Sequence, residues 1–162
     1  MNEARSFRHA AGFGKRIEYW IVGRMLKEGM DVYMPLVDDQ AVDAIVRRTD
    51  GSVALVQIKA RSREVAPGNA GLFAAIPHPK ERKDYWFVFY SERMDATWLM
   101  TSAEFIAESQ QNKSGKHAGL RTIWFNGKRR NKATGRVDEY TRPQFEKYLT
   151  MDFGRMRGAG AG

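Results

Sequence analysis

Residues 42–61 have the sequence VDAIVRRTDGSVALVQIKAR. Two runs rich in β-branched residues, 42–48 and 53–60, are joined there by a short link at 49–52. An Asp-Gly pair within such a link, here Asp50-Gly51, is typical of a β-hairpin. The second run begins with apolar residues at consecutive positions, as expected of a central strand that is covered on both faces. These residues are therefore predicted to form a hairpin in the middle of a β-sheet.

Polar side chains interrupt both strands of the predicted hairpin. Gln57 and Lys59 share one face near the end of the second strand, and Asp43 lies among apolar residues of the first. The hairpin would bring Asp43 close to the Gln57–Lys59 end of its partner strand. Several polar groups directed at one place suggest a functional site. For Lys59 alone, an ammonium that extends from the strand end to solvent remains an alternative.

The segment before the hairpin is predicted to form a helix from about residue 14 to residue 28, with Gly29 placed to end it. On a helical wheel Glu18 falls in the middle of the apolar face, which is formed by Ile17, Ile21, Val22, Met25 and Leu26. A carboxylate that faces a core is costly unless it is paired, hydrogen-bonded or bound to a metal. Both a buried ion pair with a base across the sheet and a functional role for Glu18 remain open.

The other predicted elements complete an α/β domain built on a mixed central sheet flanked by helices. A strand is expected at 31–37, and because Pro35 interrupts it, this strand is expected at an edge of the sheet. Residues 61–84 are expected to be irregular apart from 72–76. Further strands are predicted at 85–90, 97–100 and 121–125, and helices at about 102–110 and 143–149. We expect a single domain over residues 1–153, and a disordered Gly/Ala/Arg tail at 154–162.

The chain carries 27 Lys and Arg residues against 19 Asp and Glu, a net charge of +8. No acidic residue occurs between Ser109 and Val137, whereas this segment contains eight basic ones. Such an excess favours a polyanionic partner, nucleic acid before membrane. A flexible, solvated basic loop without a partner is the alternative.

Composition also excludes several classes of protein. With 43% hydrophobic residues the chain can form a core. No apolar run approaches the roughly 18 residues of a membrane-spanning helix. The absence of cysteine excludes disulfides and thiolate zinc sites and fits a reducing compartment, so a cytoplasmic location is expected.

The order Glu18, Asp43, then Gln57-Ile58-Lys59 resembles the motif of the PD-(D/E)xK nuclease superfamily, which has the restriction-endonuclease-like fold. That motif is a helix-borne Glu, a strand Asp, and an acidic-x-Lys triplet on the next strand. The likeness covers residues 14 to about 60 and is greater to small bacterial members than to any named restriction enzyme. The departure is Gln57, where the family more often has Glu or Asp, although some members carry the same Gln and are taken to be active.

The resemblance implies a metal-dependent endonuclease that hydrolyses phosphodiester bonds in DNA, with Glu18, Asp43, Gln57 and Lys59 as catalytic residues. It implies that Mg²⁺, for which Mn²⁺ can substitute, is held by Asp43, the Gln57 oxygen, the Ile58 carbonyl and Glu18. Lys59 would then orient the attacking water and offset charge on the phosphorus. Many proteins of this fold act as dimers, so a homodimer is a further expectation. A catalytically inactive binding module that retains the fold is the alternative.

Two further sets of residues complete the predicted site. Gln57 brings no negative charge to a metal. Asp38 or Asp39 is a candidate to supply that charge, but we favour the interpretation that both are turn residues. Contacts to nucleic acid are expected from basic residues beside the helix, after the motif and in the basic segment, namely Lys15, Arg16, Arg61, Arg63, Lys80, Arg82, Lys128, Arg129, Arg130 and Lys132.

Overall fold

The computed structural model describes residues 10–158. Within these residues, two α-helices and ten strands occur in the order α1 (Ala10–Lys27), β1 (Asp31–Tyr33), β2 (Ala44–Arg47), β3 (Val53–Arg61), β4 (Leu72–Ile76), β5 (Tyr85–Ser91), β6 (Ala96–Thr101), α2 (Ser102–Glu108), β7 (Gln110–Gln111), β8 (Arg121–Trp124), β9 (Asn126–Arg130) and β10 (Val137–Thr141). Two 3₁₀ helices, Pro143–Tyr148 and Gly154–Arg157, follow. The predicted mixed α/β architecture is confirmed.

A five-stranded sheet with the order β1-β2-β3-β5-β6 forms the centre of the molecule. β2 and β3 pair antiparallel with Ala44 opposite Val56, so the predicted hairpin is confirmed. β3 and β5 run parallel, and the other neighbours in this sheet run antiparallel. β3 is therefore the central strand, as its two apolar faces predicted, and β1 lies at the edge.

Each face of this sheet is covered by a separate apolar cluster. Helix α1 lies on one face, where Ile21 and Met25 are fully buried in a cluster that also contains Val56 of β3. The opposite face carries an aromatic cluster around Phe87 and Phe89 of β5, which α2 and β8 help to cover. Because both faces are closed, a polar side chain on β3 reaches water only near the end of the strand.

Local signals explain where several elements begin and end. β1 ends at Tyr33, two residues before Pro35, and is therefore shorter than the predicted strand at 31–37. Proline cannot donate a hydrogen bond to the neighbouring strand, which explains the early end. Thr101 and Glu104 form a capping box at the start of α2. Pro143 begins a helix as expected, although this helix is of the 3₁₀ type.

Two expectations are wrong in this structure. Part of the segment treated as a basic loop forms the antiparallel hairpin β9–β10, in which Arg130 pairs with Val137. The tail is not disordered from Gly154, because Gly154–Arg157 form a 3₁₀ helix and Met156 is buried in the core. Residues 159–162 of this tail lie outside the described part of the chain, as do residues 1–9 at the other end. No helix within residues 10–158 has both the length and the apolar character needed to cross a membrane.

Candidate active site

The carboxylate of Asp43 is held at the beginning of β2, where the ladder with β3 ends. β3 continues beyond Val56, which pairs with Ala44, the first residue of β2. The Ile58 amide on that side therefore has no strand partner and needs another acceptor. Asp43 Oδ2 accepts a hydrogen bond from the Ile58 amide at 2.6 Å, while the Asp43 amide donates to the Val56 carbonyl at 2.8 Å. The side chain is thereby fixed in one position, and only 7% of the residue is exposed.

Burial raises the pKa of Asp43 to about 6. The bond from the Ile58 amide opposes this shift, and the nearby carboxylates of Glu18 and Asp38 add to it by repulsion. Asp38 itself accepts a hydrogen bond from the Val42 amide at 2.9 Å, so it does serve in a turn. Negative charge is thus concentrated around Asp43, which favours a cation at this place.

Glu18 lies at the border of the buried face of α1. Its carboxylate pairs with Lys15 Nζ at 2.8 Å, and 18% of its side chain is exposed. The ion pair is formed within the helix rather than with a base across the sheet. Glu18 raises the pKa of Lys15, and its charge also reaches Asp43, so the fold brings these two carboxylates together.

Gln57 is buried on the face of β3 opposite to α1. Its Oε1 lies 3.2 Å from the hydroxyl oxygen of Tyr85, the first residue of the parallel neighbour β5. The same hydroxyl donates a hydrogen bond to the Ala41 carbonyl, in the turn that leads to Asp43. Burial raises the pKa of Tyr85, so the phenol keeps its proton.

Lys59 is half-buried, two residues after Gln57 on the same side of β3. Its ammonium has no hydrogen bond or ion pair with any residue of the described chain. Lys59 is thus a half-buried lysine whose ammonium is available to a ligand, whereas the ammonium of Lys15 is paired with Glu18.

The donor atoms gathered here suit a hard divalent cation. Carboxylate oxygens from Asp43 and Glu18, an amide oxygen from Gln57 and backbone carbonyls are ligands that Mg²⁺ accepts. Within residues 10–158, no three His, Cys, Asp or Glu side chains are grouped closely enough to hold a metal ion. The candidate centre therefore depends on the neutral oxygens of Gln57 and the backbone, and those assignments stay predictions.

The basic residues that follow the motif are mostly engaged with the protein. The guanidinium of Arg82 lies 4.0 Å from the centre of the Tyr85 ring and donates to the Gln40 carbonyl at 2.8 Å. Arg63 pairs with Glu92 at 3.2 Å. Arg61 is half-buried, whereas Lys80 is exposed. Of these predicted contacts, only Arg82 lies against a residue that touches Gln57.

The hairpin β9–β10 carries a group of exposed basic side chains. Its outer part is exposed throughout and contains Lys128, Arg129, Arg130, Lys132 and Arg136. Its base is tied to the body by Glu139, whose carboxylate pairs with Arg93 at 2.7 Å and accepts from the Ala70 amide at 3.0 Å. The exposed charges are thus presented on an anchored two-stranded ribbon.

Sequence reasoning did not identify Tyr85 as part of this site. Its neighbours Trp86 and Phe87 predicted a core strand, and Tyr85 is indeed buried. The available signal was a tyrosine at the first position of an otherwise apolar run, because a buried phenol needs a hydrogen-bond partner.

In fold, the chain is similar to a bacterial homing endonuclease, I-Ssp6803I, with a TM-score of 0.52. The alignment covers 87% of this chain and 88% of that one, at 16% sequence identity. No protein-family model and no curated protein matches the sequence. A nuclease-like fold is confirmed by this likeness, whereas membership of the PD-(D/E)xK superfamily stays a prediction.

Proposed function

We propose that this protein is a metal-dependent endonuclease that hydrolyses phosphodiester bonds in DNA. One observation carries the proposal: the fold brings Glu18, Asp43 and Gln57 to one end of the β2–β3 ladder, beside Lys59, whose ammonium has no partner within residues 10–158. The likeness to a homing endonuclease supports it at the level of the fold.

Asp43, Glu18, the Gln57 oxygen and the Ile58 carbonyl would hold Mg²⁺, and Mn²⁺ would substitute for it. When bound, the ion polarises a phosphate oxygen and lowers the pKa of a coordinated water. The protein contributes a pre-oriented carboxylate, because the Ile58 amide fixes Asp43 Oδ2. A proton competes for this carboxylate below about pH 6, so activity should fall as the pH decreases through that value.

Lys59 would act on the phosphate and the attacking water rather than on the ion. The ammonium of this half-buried lysine has no partner in the described part of the chain, so it can offset negative charge that develops in the transition state. The exposed basic ribbon would hold the phosphate backbone at a distance from this centre, a contact that positions DNA without reading its bases.

The test is cleavage of supercoiled plasmid DNA in Mg²⁺ by the wild type and by Lys59→Ala. Cleavage by the variant should be slower by about 10²- to 10³-fold, as when one transition-state donor is removed, while binding to DNA is largely kept. Lys147→Ala is the matched control, because Lys147 is an exposed lysine paired with Glu108. A Lys59→Ala variant that cuts as fast as the wild type would overturn the role of Lys59.

A second candidate function is a catalytically inactive nucleic-acid-binding or partner-binding module. It is favoured by Gln57 and by the absence of a group of three acidic or histidine ligands within residues 10–158. This alternative predicts binding to DNA without cleavage and without stabilisation of the fold by Mg²⁺ or Mn²⁺.

A further inference from the structure

The hydroxyl of Tyr85 lies between two oxygen atoms but has only one proton. It donates to the Ala41 carbonyl, and it lies 3.2 Å from Gln57 Oε1. A phenol donates a single hydrogen bond, and a carbonyl or amide oxygen can only accept. Tyr85 can donate to only one of these oxygens, so both contacts are hydrogen bonds only if the other group presents a donor to the phenol oxygen.

Only Gln57 can present a donor. The Ala41 carbonyl has no N–H to offer, whereas the two ends of a glutamine amide exchange by a half-turn of the terminal bond. Ala41 also has a left-handed backbone (φ 54°), a conformation unfavourable for alanine, and the bond from Tyr85 to its carbonyl helps to hold this turn. The arrangement that satisfies all three groups has Tyr85 donating to Ala41 and Gln57 Nε2 donating to the Tyr85 oxygen.

This arrangement leaves the oxygen of Gln57 on the side away from Tyr85. No residue of the described chain makes a further hydrogen bond to the Gln57 amide. We infer that Tyr85 is a positioning residue, which turns the Gln57 oxygen towards the cation and the amide nitrogen away from it. The inference rests on the proposed function, since it concerns the same metal site.

A glutamine ligand needs such a device, and a carboxylate does not. An amide turned the wrong way would present two N–H groups to a cation and repel it, whereas the two oxygens of a glutamate are equivalent. Tyr85 would thus allow Gln57 to serve where the resembling family more often has an acidic residue. The stacked guanidinium of Arg82, which also holds the Gln40 carbonyl, keeps the ring of Tyr85 in place.

The first test is a double-mutant cycle on Mn²⁺ affinity, measured by calorimetric titration of the full chain without DNA. Tyr85→Phe should weaken Mn²⁺ binding by about 10-fold, the lower end of the range for residues that orient a ligand. In the Gln57→Glu background the same substitution should change the affinity by less than about twofold, because a carboxylate has no wrong orientation.

Tyr90→Phe is the matched control, since Tyr90 is a buried tyrosine of the same strand on the opposite face and should leave Mn²⁺ binding unchanged. An equal loss from Tyr85→Phe in the wild-type and in the Gln57→Glu background would show that Tyr85 only supports the fold locally. That result would overturn the inference and leave the proposed function standing.

The second test needs neither a metal nor a variant at Tyr85. In wild-type protein labelled with [¹⁵N]glutamine, the Gln57 side-chain NH₂ protons, identified by their loss in Gln57→Glu, should show nuclear Overhauser contacts to the Tyr85 ring. Their absence would overturn the inferred orientation. Their presence without any Mn²⁺ binding by the wild type would overturn the proposed metal site, and with it the role of Tyr85 towards a cation.

Discussion

At the scale of single residues, Asp43 has both a structural and a proposed chemical role. One oxygen ends the β2–β3 ladder by accepting from the Ile58 amide, while Glu18 and Asp38 surround the carboxylate with negative charge. A buried carboxylate with acidic neighbours disfavours the ionised form when no cation is bound. The residue should therefore reduce the stability of the metal-free protein at neutral pH.

Asp43→Asn should make the metal-free protein more stable at pH 8. The pKa of Asp43 is about 6 in the folded state and near 4 in an unfolded chain. The folded state thus binds the proton more tightly, so wild-type stability decreases as the pH rises from about 4 to about 6. Two pKa units correspond to about 3 kcal/mol. The measurement is urea unfolding in EDTA at pH 4 and pH 8. The free energy of unfolding of Asp43→Asn should exceed that of the wild type by up to this amount at pH 8, and by little at pH 4.

Asp138→Asn is the control for this measurement, since Asp138 is exposed on the ribbon. This variant keeps Asp43, so its stability relative to the wild type should be the same at pH 4 and at pH 8. An Asp43→Asn variant that is less stable than the wild type at pH 8 would mean that the ionised carboxylate stabilises the metal-free fold, contrary to its burial.

At the scale of elements, the ribbon β9–β10 allows the proposed DNA binding to be tested apart from the proposed chemistry. Its exposed basic side chains lie outside the set around Asp43, and Glu139 with Arg93 anchors its base. A two-stranded ribbon is also one of the elements that fit the major groove of duplex DNA. Substitutions in its outer part should therefore change affinity for DNA without unfolding the domain.

Replacing Lys128, Arg129 and Arg130 with alanine should weaken binding to duplex DNA irrespective of its sequence. Each lost phosphate contact lowers the slope of log affinity against log salt by roughly 0.9, so three contacts correspond to about 2.7. The measurement is a titration in EDTA, which prevents cleavage, at several salt concentrations.

In a charge-matched control, alanine replaces Lys27, Arg47 and Lys147, which are exposed elsewhere on the molecule. The two triple variants have equal net charge, so a difference between them reports on location. Equal slopes for both would mean that the ribbon contributes only general charge. The contact surface would then have to be sought beside α1, around Lys15 and Arg16.

At the scale of the whole molecule, a ligand that binds only the folded state should raise the melting temperature. Mn²⁺ at 100 times its dissociation constant would stabilise the protein by about 2.7 kcal/mol. For a chain of this size that corresponds to a shift of about 5–10 °C. Thermal unfolding with Mn²⁺, and with NaCl of equal ionic strength as a control, measures the effect.

The same shift should be absent in Asp43→Asn. No shift in the wild type would favour the inactive module, whereas a shift retained by Asp43→Asn would place the ion elsewhere.

A homodimer and a cytoplasmic location stay predictions.

Local patterns determined the centre of this protein. The consecutive apolar residues at the start of the run 53–60 and the Asp50-Gly51 pair were sufficient to predict the β2–β3 hairpin and the central position of β3, because turn chemistry and strand hydrophobicity are properties of adjacent residues. The same patterns marked Asp43, Gln57 and Lys59 as polar groups at one place. Whether they hold a metal is not a property of the pattern.

Only the tertiary structure decided which distant groups complete the site and how the later segments fold. Tyr85 meets Gln57 and Ala41 because β5 pairs parallel with β3, a contact with no local signature. The last 3₁₀ helix is ordered by a bond from Arg48 to the Met156 carbonyl, 108 residues away, although its composition predicted disorder. Hydrogen bonds and packing between distant segments depend on the assembled sheet, so they cannot be predicted from residues that are adjacent in the sequence.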